Sequence, residues 1–141
     1  MVMSKVHYSS NSVEWETPQE LFDELNKEFD FNLDVCATKE NAKCKKYFTK
    51  KDDGLHQEWG QYRCWMNPPY GSEIGMWVQH AAFTNLCVSL LPARTDTRWF
   101  HDYIYKNPRA EIRFLKGRLR FSGQKSAAPF PNMIVIFRRK A

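Results

Sequence analysis

The composition of this 141-residue chain fits one compact domain with a substantial core, because 43% of its residues are hydrophobic and 15% are aromatic. Its 21 Lys and Arg residues outnumber its 16 Asp and Glu residues, which gives a formal net charge of +5. This modest basic excess favours a nucleic-acid substrate, although unrelated proteins often have it too. No apolar run reaches transmembrane length, so a membrane partner is excluded. Residues 1–14 are polar and form a predicted arm, followed by a single domain at 15–141.

Cysteine usage argues against a metal centre and against secretion. The four cysteines, Cys36, Cys44, Cys64 and Cys87, include no C-x-x-C pair, so we expect no zinc or other metal. No signal peptide is recognisable. We therefore expect a cytoplasmic protein whose thiols are reduced.

The first predicted element of the domain is an amphipathic helix. Thr17 is predicted to cap it, with Pro18 at the first helical position and Glu20 completing a capping box. Apolar residues at helical spacing continue the helix to about Phe29.

The stretch 31–37 predicts a short strand that leads to the acidic residue Asp34, and no Gly-x-Gly follows this stretch. Only 33 positions separate Asp34 from Asn67, which is too few for two crossovers with their strands. We therefore expect a shortened sheet that lacks at least one helix or strand. Residues 47–49 predict a short strand, and residues 52–55 predict a turn.

The central feature is the stretch from Cys64 to Gly71, in which an apolar strand stops at Pro68 and Pro69. Because two prolines cannot continue a sheet ladder, Asn67 and Tyr70 are predicted on a rigid turn at the carboxyl end of a strand. Ligands bind at this edge in open α/β sheets.

Asn-Pro-Pro-Tyr resembles the catalytic loop of S-adenosylmethionine-dependent methyltransferases that act on an amino nitrogen conjugated to a ring or carbonyl, and the chemistry of that reaction explains the residue types. The lone pair of such a nitrogen is delocalised, which makes it a poor nucleophile. The side-chain carbonyl of Asn67 and the main-chain carbonyl of Pro68 can accept its hydrogens and favour the developing positive charge. Pro69 helps to fix the carbonyl direction, and Tyr70 offers a ring for stacking of a flipped base.

The second half of the chain alternates helices and strands. A helix is predicted at 73–84, and the apolar run Leu86 to Pro92 predicts a strand buried on both faces. Thr95 or Asp96 is predicted to cap the next helix. Two further strands are predicted at 110–115, continued at 119–121, and at 133–137.

Several ordered motifs resemble the phage DNA N-6-adenine methyltransferase family from Trp15 to Phe137. They read Trp-x-Thr-Pro, Leu-Asp-x-Cys-Ala, Asn-Ala-Lys-Cys with Asp-Asp-Gly-Leu, Trp-Met-Asn-Pro-Pro-Tyr, Leu-Leu-Pro-Ala-Arg-Thr-Asp and Gly-Arg-Leu-Arg-Phe. The resemblance implies an abbreviated Rossmann-like class I methyltransferase fold. This is an α/β architecture with a mostly parallel sheet and an antiparallel C-terminal strand. It also implies methyl transfer from S-adenosylmethionine to adenine N6 in DNA, with base flipping and S-adenosylhomocysteine as product.

The resemblance further implies roles for individual residues. Asn67, Pro68, Pro69 and Tyr70 form the catalytic turn. The cofactor contacts are Thr17 and Pro18 near its methionine end, Asp34, Cys36 and Ala37 after the first strand, Asp52, Asp53 and Gly54 near its adenine, and Asn67. Asp53 and Asp52 remain competing candidates for the adenine amino group.

DNA contacts are predicted in the loops around the site, because the chain has no room for a separate recognition domain of ordinary size. These loops are 71–75, 94–98, 116–118 and 122–131, and the candidate cations are Arg94, Arg98, Lys116, Arg118 and Lys125. So small a footprint indicates a short or relaxed target sequence, or a homodimer. The protein would act in the cytoplasm of a bacterial host, as a phage or prophage product.

Two other functions remain open from the sequence. Asn-Pro-Pro-Tyr also fits methylation of a protein glutamine amide or of an amino group on RNA. The missing glycine-rich loop also leaves open a non-catalytic nucleic-acid-binding relative.

Overall fold

A computed structural model describes residues 16–139, which form a mixed α/β structure around a five-stranded sheet. The predicted polar arm at 1–14 lies outside the described residues. The strands stand in the order β1-β2-β3-β5-β4. Their bounds are Leu33–Asp34 (β1), Cys64–Met66 (β2), Leu86–Pro92 (β3), Ala110–Phe114 (β4) and Asn132–Arg138 (β5).

The first three strands are parallel, and β5 runs antiparallel to both β3 and β4. The prediction of an antiparallel C-terminal strand is therefore confirmed. Four strands are almost wholly buried, since every residue of β1 and β2, of β3 after Leu86, and of β5 from Asn132 to Phe137 is buried, whereas β4 is half-buried. Parallel alignment brings the carboxyl ends of β1, β2 and β3 to one edge of the sheet.

The predicted shortening of the sheet is observed between β1 and β2. In the segment between β1 and β2, the only strand-like pairing is a parallel bridge between Asp34 and Tyr47. The amide of Asp34 donates to the carbonyl of Lys46 (3.1 Å), and the amide of Phe48 donates to the carbonyl of Asp34 (3.0 Å). Two single-turn 3-10 helices, Lys50–Asp52 and Gly54–His56, then lead towards β2. This stretch contains no α-helix and no full-length strand.

Helix α1, Gln19–Phe29, packs on the sheet through Phe22, Leu25 and Phe29. The ring centroid of Phe22 lies 5.5 Å from that of Trp65 in β2, in an edge-on arrangement. The predicted cap is wrong, because Pro18 occupies the N-cap position and no side chain caps the helix. The side chain of Thr17 is bonded elsewhere, as described below.

Helix α2, Ile74–Ala82, is slightly shorter than predicted and buries Ile74, Trp77 and Val78. Its last turn is tied to the chain before β4, because the guanidinium of Arg109 donates to the carbonyls of Ala82 and Thr84.

Two predictions in the second half are wrong. Thr97, rather than Thr95 or Asp96, begins the next helical segment, since its hydroxyl accepts from the amide of Phe100 (3.3 Å). That segment contains a π-helical stretch at Phe100–Ile104. Residues 119–121 do not extend β4, because Gly117 turns the chain with a φ of 74°.

Gly54 is required by close packing. A Cβ atom at this position would lie 2.5 Å from the carbonyl oxygen of Val35 and 3.1 Å from the ring of Trp77. We predict that Gly54→Ala lowers the free energy of unfolding by about 1–3 kcal/mol, since the backbone must shift. Urea denaturation measures the change. The matched control is Gly60→Ala, whose Cβ would meet its nearest atom at 3.8 Å; equal stabilities of the two variants would contradict the prediction.

Candidate active site

The turn from Asn67 to Gly71 begins directly after β2, at the edge where β1 and β3 also end. Trp65 pairs with Asp34, the last residue of β1, and Met66 pairs with Ser89, so the register places Asn67 just beyond the end of β1 and beside the final residues of β3 at Leu90. Pro68 is buried and Pro69 is half-buried. A residue that precedes proline is restricted to extended conformations, so Asn67 and Pro68 have little freedom. The rigidity of the turn stays a prediction that follows from the two prolines.

The side chain of Asn67 is half-buried and held by Thr17. The Asn67 amide nitrogen Nδ2 donates to the Thr17 hydroxyl at 2.9 Å, across 50 positions of sequence. Thr17 itself is only 3% exposed. Because the two ends of a carboxamide point in different directions, this bond turns the Asn67 oxygen away from Thr17.

Tyr70 is buried, with its hydroxyl held by hydrogen bonds and its ring packed against two phenylalanines. Its hydroxyl donates to the carbonyl of Leu90 (2.9 Å) and accepts from Nδ2 of Asn132 (3.3 Å). Phe121 and Phe130 contact its ring edge-on, with centroids at 6.3 and 5.7 Å. Burial raises the pKa of the Tyr70 phenol above its ordinary value, so it stays neutral. In this conformation Phe130 and Phe121 cover the ring, and stacking of a base on Tyr70 stays a prediction that requires Phe130 to move.

Asp34 holds the segment that follows β1. One carboxylate oxygen accepts from the amide of Cys36 (3.3 Å), and the other accepts from the amide of Lys43 (3.0 Å). The side chain is almost fully buried, and this burial raises the pKa of Asp34 to about 7, although the two backbone hydrogen bonds act in the opposite direction. The acid thus fixes the loop that replaces a glycine-rich turn.

Cys36 and Ala37 are half-buried beside Asp34. The amide of Ala37 donates to the carbonyl of Phe48 at 2.9 Å, which holds this segment against the sheet edge. Burial raises the pKa of Cys36 to about 12, so its thiol is neutral and unsuited to nucleophilic chemistry.

The carboxylates of Asp52 and Asp53 are exposed and make local contacts. Asp52 accepts from the amide (2.8 Å) and hydroxyl (3.1 Å) of Thr49, and these hydrogen bonds lower its pKa. Asp53 pairs with Nδ1 of His56 at 2.6 Å. Gly54 brings both residues close to the end of β1 through its contact with Val35. Both acids therefore stay candidates for the adenine amino group.

The predicted DNA-contacting cations fall into two groups. Arg94 and Arg98 line an open groove of about 480 Å³ beside Gly71 and Ser72. The Arg94 guanidinium lies 5.7 Å from the ring centroid of Phe130. A second group of exposed cations does not line this groove: Lys116, Arg118 and Lys125.

Two residues that support the site were missed by sequence reasoning. Asn132 bonds Tyr70 and also donates to the carbonyl of Leu91 (3.2 Å); its position at the start of an apolar strand was the available signal. Ser122 donates through its amide to the carbonyl of Glu16 (2.9 Å) and through its hydroxyl to the carbonyl of Thr17 (3.3 Å). No local pattern indicates Ser122.

Within residues 16–139, no cluster of three or more His, Cys, Asp and Glu side chains could hold a metal ion. Among the same residues, no helix combines the length and apolarity needed to cross a bilayer.

Comparisons with known proteins identify the family to which the chain belongs. A family model described as DNA N-6-adenine-methyltransferase (Dam) matches residues 4–141. The DNA N-6-adenine-methyltransferase of Haemophilus phage HP1 is 29% identical over 138 residues, covering 90% of this chain and 79% of the relative. A protein with the same name from Escherichia phage T1 is 31% identical over 91 residues, covering 61% of this chain and 38% of the relative. The chain therefore belongs to the DNA N-6-adenine-methyltransferase (Dam) family.

Proposed function

We propose that this protein transfers a methyl group from S-adenosylmethionine to N6 of adenine in DNA. The observation that carries this proposal is the Asn67 carboxamide, which Thr17 orients on a proline-fixed turn at the common edge of three parallel strands. The family match and the phage relatives support the same activity. The reaction would take place in the cytoplasm of a bacterial host.

The strand order supports an abbreviated Rossmann-like class I methyltransferase fold. Strands β1, β2 and β3 are parallel, and β5 lies antiparallel beside β3. In such a sheet we expect the ligand to bind at the carboxyl ends of β1 and β2. Among residues 16–139, the bridge between Asp34 and Tyr47 is the one pairing on the outer side of β1. On this interpretation the missing strands belong to the outer half of the sheet, and the catalytic half is retained.

The residues at this edge fit S-adenosylmethionine. Asp34 is a buried acid whose pKa of about 7 falls if a cationic group binds beside it. The exposed carboxylates of Asp52 and Asp53 can accept from an adenine amino group. Cys36 and Ala37 are half-buried and lie between Asp34 and these two acids in the chain, where their main chain can contact the cofactor. When bound, the sulfonium supplies an electrophilic methyl group.

Asn67 and Pro68 would prepare the amine of the target base. The carboxamide oxygen of Asn67, which is buried in this conformation, and the main-chain carbonyl of Pro68 would accept its two hydrogens once the site opens to admit the base, which favours a tetrahedral nitrogen and the charge that develops on it. The restricted backbone before each proline means that these acceptors need not reorganise during the reaction. The methylated ammonium is acidic, so its proton can leave to water without a dedicated base.

The groove lined by Arg94 and Arg98 would hold the DNA backbone beside the catalytic turn. A flipped adenine would enter next to Tyr70 after Phe130 moves aside. The small contact surface suits a short or relaxed target sequence, or a homodimer that doubles the footprint.

The direct test is incubation of the purified protein with unmethylated DNA and labelled S-adenosylmethionine, followed by mass spectrometry of the nucleosides. We expect labelled N6-methyladenine, and a fall in kcat of about 10²–10³-fold in Asn67→Ala, by analogy with the loss of one preorganised hydrogen bond to the reacting group. Parallel reactions with RNA and with bacterial protein serve as controls. Labelling of RNA or protein alone, with no methylated adenine in DNA, would refute the proposal.

Cofactor affinity should depend on the ionisation of Asp34. Because burial raises the pKa of Asp34 to about 7, a cationic ligand beside it binds better once the carboxylate is ionised. We expect the affinity of wild type relative to Asp34→Asn, measured by calorimetry, to rise as pH increases from 6 to 8. The comparison removes the titration of the cofactor's own amino group. A constant ratio would contradict this role of Asp34.

The same pKa shift gives the opposite sign for the stability of the protein without cofactor. The folded pKa of about 7 lies above the ordinary value of 3.8. The stability linked to Asp34 is therefore fully present below pH 4 and is lost as pH rises through about 7. Urea denaturation of wild type should show this decline more steeply than Asp34→Asn; parallel pH profiles would contradict it.

Arg98 should contribute to DNA affinity through phosphate contact. We expect Arg98→Ala to weaken binding of all duplex sequences alike and to reduce the slope of log affinity against log salt concentration by about 0.9. Fluorescence anisotropy over a range of salt concentrations measures both. The control is Lys27→Ala, an exposed cation on α1 that does not line the groove. Equal salt-dependence slopes for the two variants would contradict binding of the DNA backbone in the groove lined by Arg94 and Arg98.

A further inference from the structure

Thr17 is a buried polar residue that does not cap helix α1. The N-cap position belongs to Pro18, and no side chain caps α1. Yet Thr17 is 3% exposed, so its hydroxyl needs a partner inside the protein. That partner is Nδ2 of Asn67, at 2.9 Å.

Thr17 is itself held on both sides of its main chain. The hydroxyl of Ser122 donates to the carbonyl of Thr17 (3.3 Å), and the amide of Ser122 donates to the carbonyl of Glu16 (2.9 Å). Glu16 and Ser122 form an antiparallel bridge. On the other side, the carbonyl of Pro18 accepts from the amide of Phe22 in the first turn of α1 (3.2 Å). The Thr17 hydroxyl is thus presented to Asn67 from a fixed backbone.

The orientation of Asn67 decides whether the turn can act on an amine. The two ends of a carboxamide are nearly equal in shape, but one accepts hydrogen bonds and the other donates them. An inverted side chain would present N–H groups to an amine that also carries N–H groups. In the observed orientation the hydrogen bond to Thr17 anchors the nitrogen end of the carboxamide, and it also polarises the carboxamide so that its oxygen becomes a stronger acceptor.

We propose that Thr17 is a positioning residue for methyl transfer, acting through Asn67 rather than through the cofactor. This inference rests on the proposed function of Asn67 and adds a role for Thr17 different from the cofactor contact that the sequence predicts. It also explains why the segment around Ser122 is tied to residues 16 and 17. That tie fixes the backbone from which Thr17 reaches the catalytic turn.

The test compares Thr17→Val, which has nearly the same shape without the hydroxyl, with Thr17→Ser, which keeps it. We expect kcat on DNA to fall about tenfold to a hundredfold in Thr17→Val and to recover largely in Thr17→Ser, because small misplacements of a catalytic group cost up to about 10²-fold. The affinity for S-adenosylhomocysteine, measured by calorimetry, should stay within about twofold of wild type in both variants.

Thr84→Val is the matched control. Thr84 is also buried, and its hydroxyl donates to the carbonyl of His80 within the same helical region (2.9 Å). It should lose comparable stability in urea denaturation while keeping the wild-type kcat. In an Asn67→Ala background, Thr17→Val should cause no further loss, because its effect passes through Asn67.

A readout independent of activity is the NMR signal of the Asn67 side-chain amide in the protein without DNA. Its hydrogens should exchange slowly with water in wild type and Thr17→Ser and faster in Thr17→Val. The proposal is overturned if exchange is unchanged in Thr17→Val, if folded Thr17→Val keeps full kcat, or if it loses cofactor affinity in parallel with kcat. Failure of wild type to methylate DNA would contradict the proposed function instead. The exchange rates would still show whether Thr17 holds the Asn67 side-chain amide.

Discussion

The parallel hydrogen-bond ladder of β1, β2 and β3 is the constraint on which the site depends. It pairs Asp34 with Trp65, and Met66 with Ser89, so the residues that follow each strand meet at one edge. Three local features then occupy this edge. A buried acid ends β1, a proline-fixed turn follows β2, and the chain after β3 leads to Arg94. A slip in register of even one residue would separate the acid from the turn.

The shortened sheet changes how the proposed cofactor edge is built. A glycine-rich loop normally brings backbone amides close to the ligand, but here the chain after β1 has no glycine before Gly54. Asp34 instead binds the amides of Cys36 and Lys43 and holds that loop in place. The cost is a carboxylate in a nearly dry environment, seen in its raised pKa. A cationic ligand at this edge would relieve that cost, which links the stability of the loop to its proposed function.

Much of the architecture followed from local pattern. The apolar run of β3, the period of α1, the prolines after β2 and the short distance between Asp34 and Asn67 each predicted an observed feature. The contacts that complete the site join distant residues, and local pattern cannot reveal them. Thr17 reads as a helix cap because capping preferences are local, yet it bonds Asn67 from 50 positions away. Tyr70 was predicted to offer a ring for stacking of a base, yet Phe121 and Phe130 pack against that ring from a segment with no regular period. The partners of the two candidate carboxylates, Thr49 for Asp52 and His56 for Asp53, are contacts that motif spacing alone did not specify.

The central claim is that a carbonyl-type acceptor at position 67 activates the amine. Asn67→Asp keeps an oxygen acceptor at this position, whereas Asn67→Leu keeps similar bulk without one. The most direct measurement is the single-turnover rate of methyl transfer to DNA for these two variants, at saturating cofactor. The account predicts that Asn67→Asp retains far more of the wild-type rate than Asn67→Leu. Equal rates in the two folded, cofactor-binding variants would contradict it.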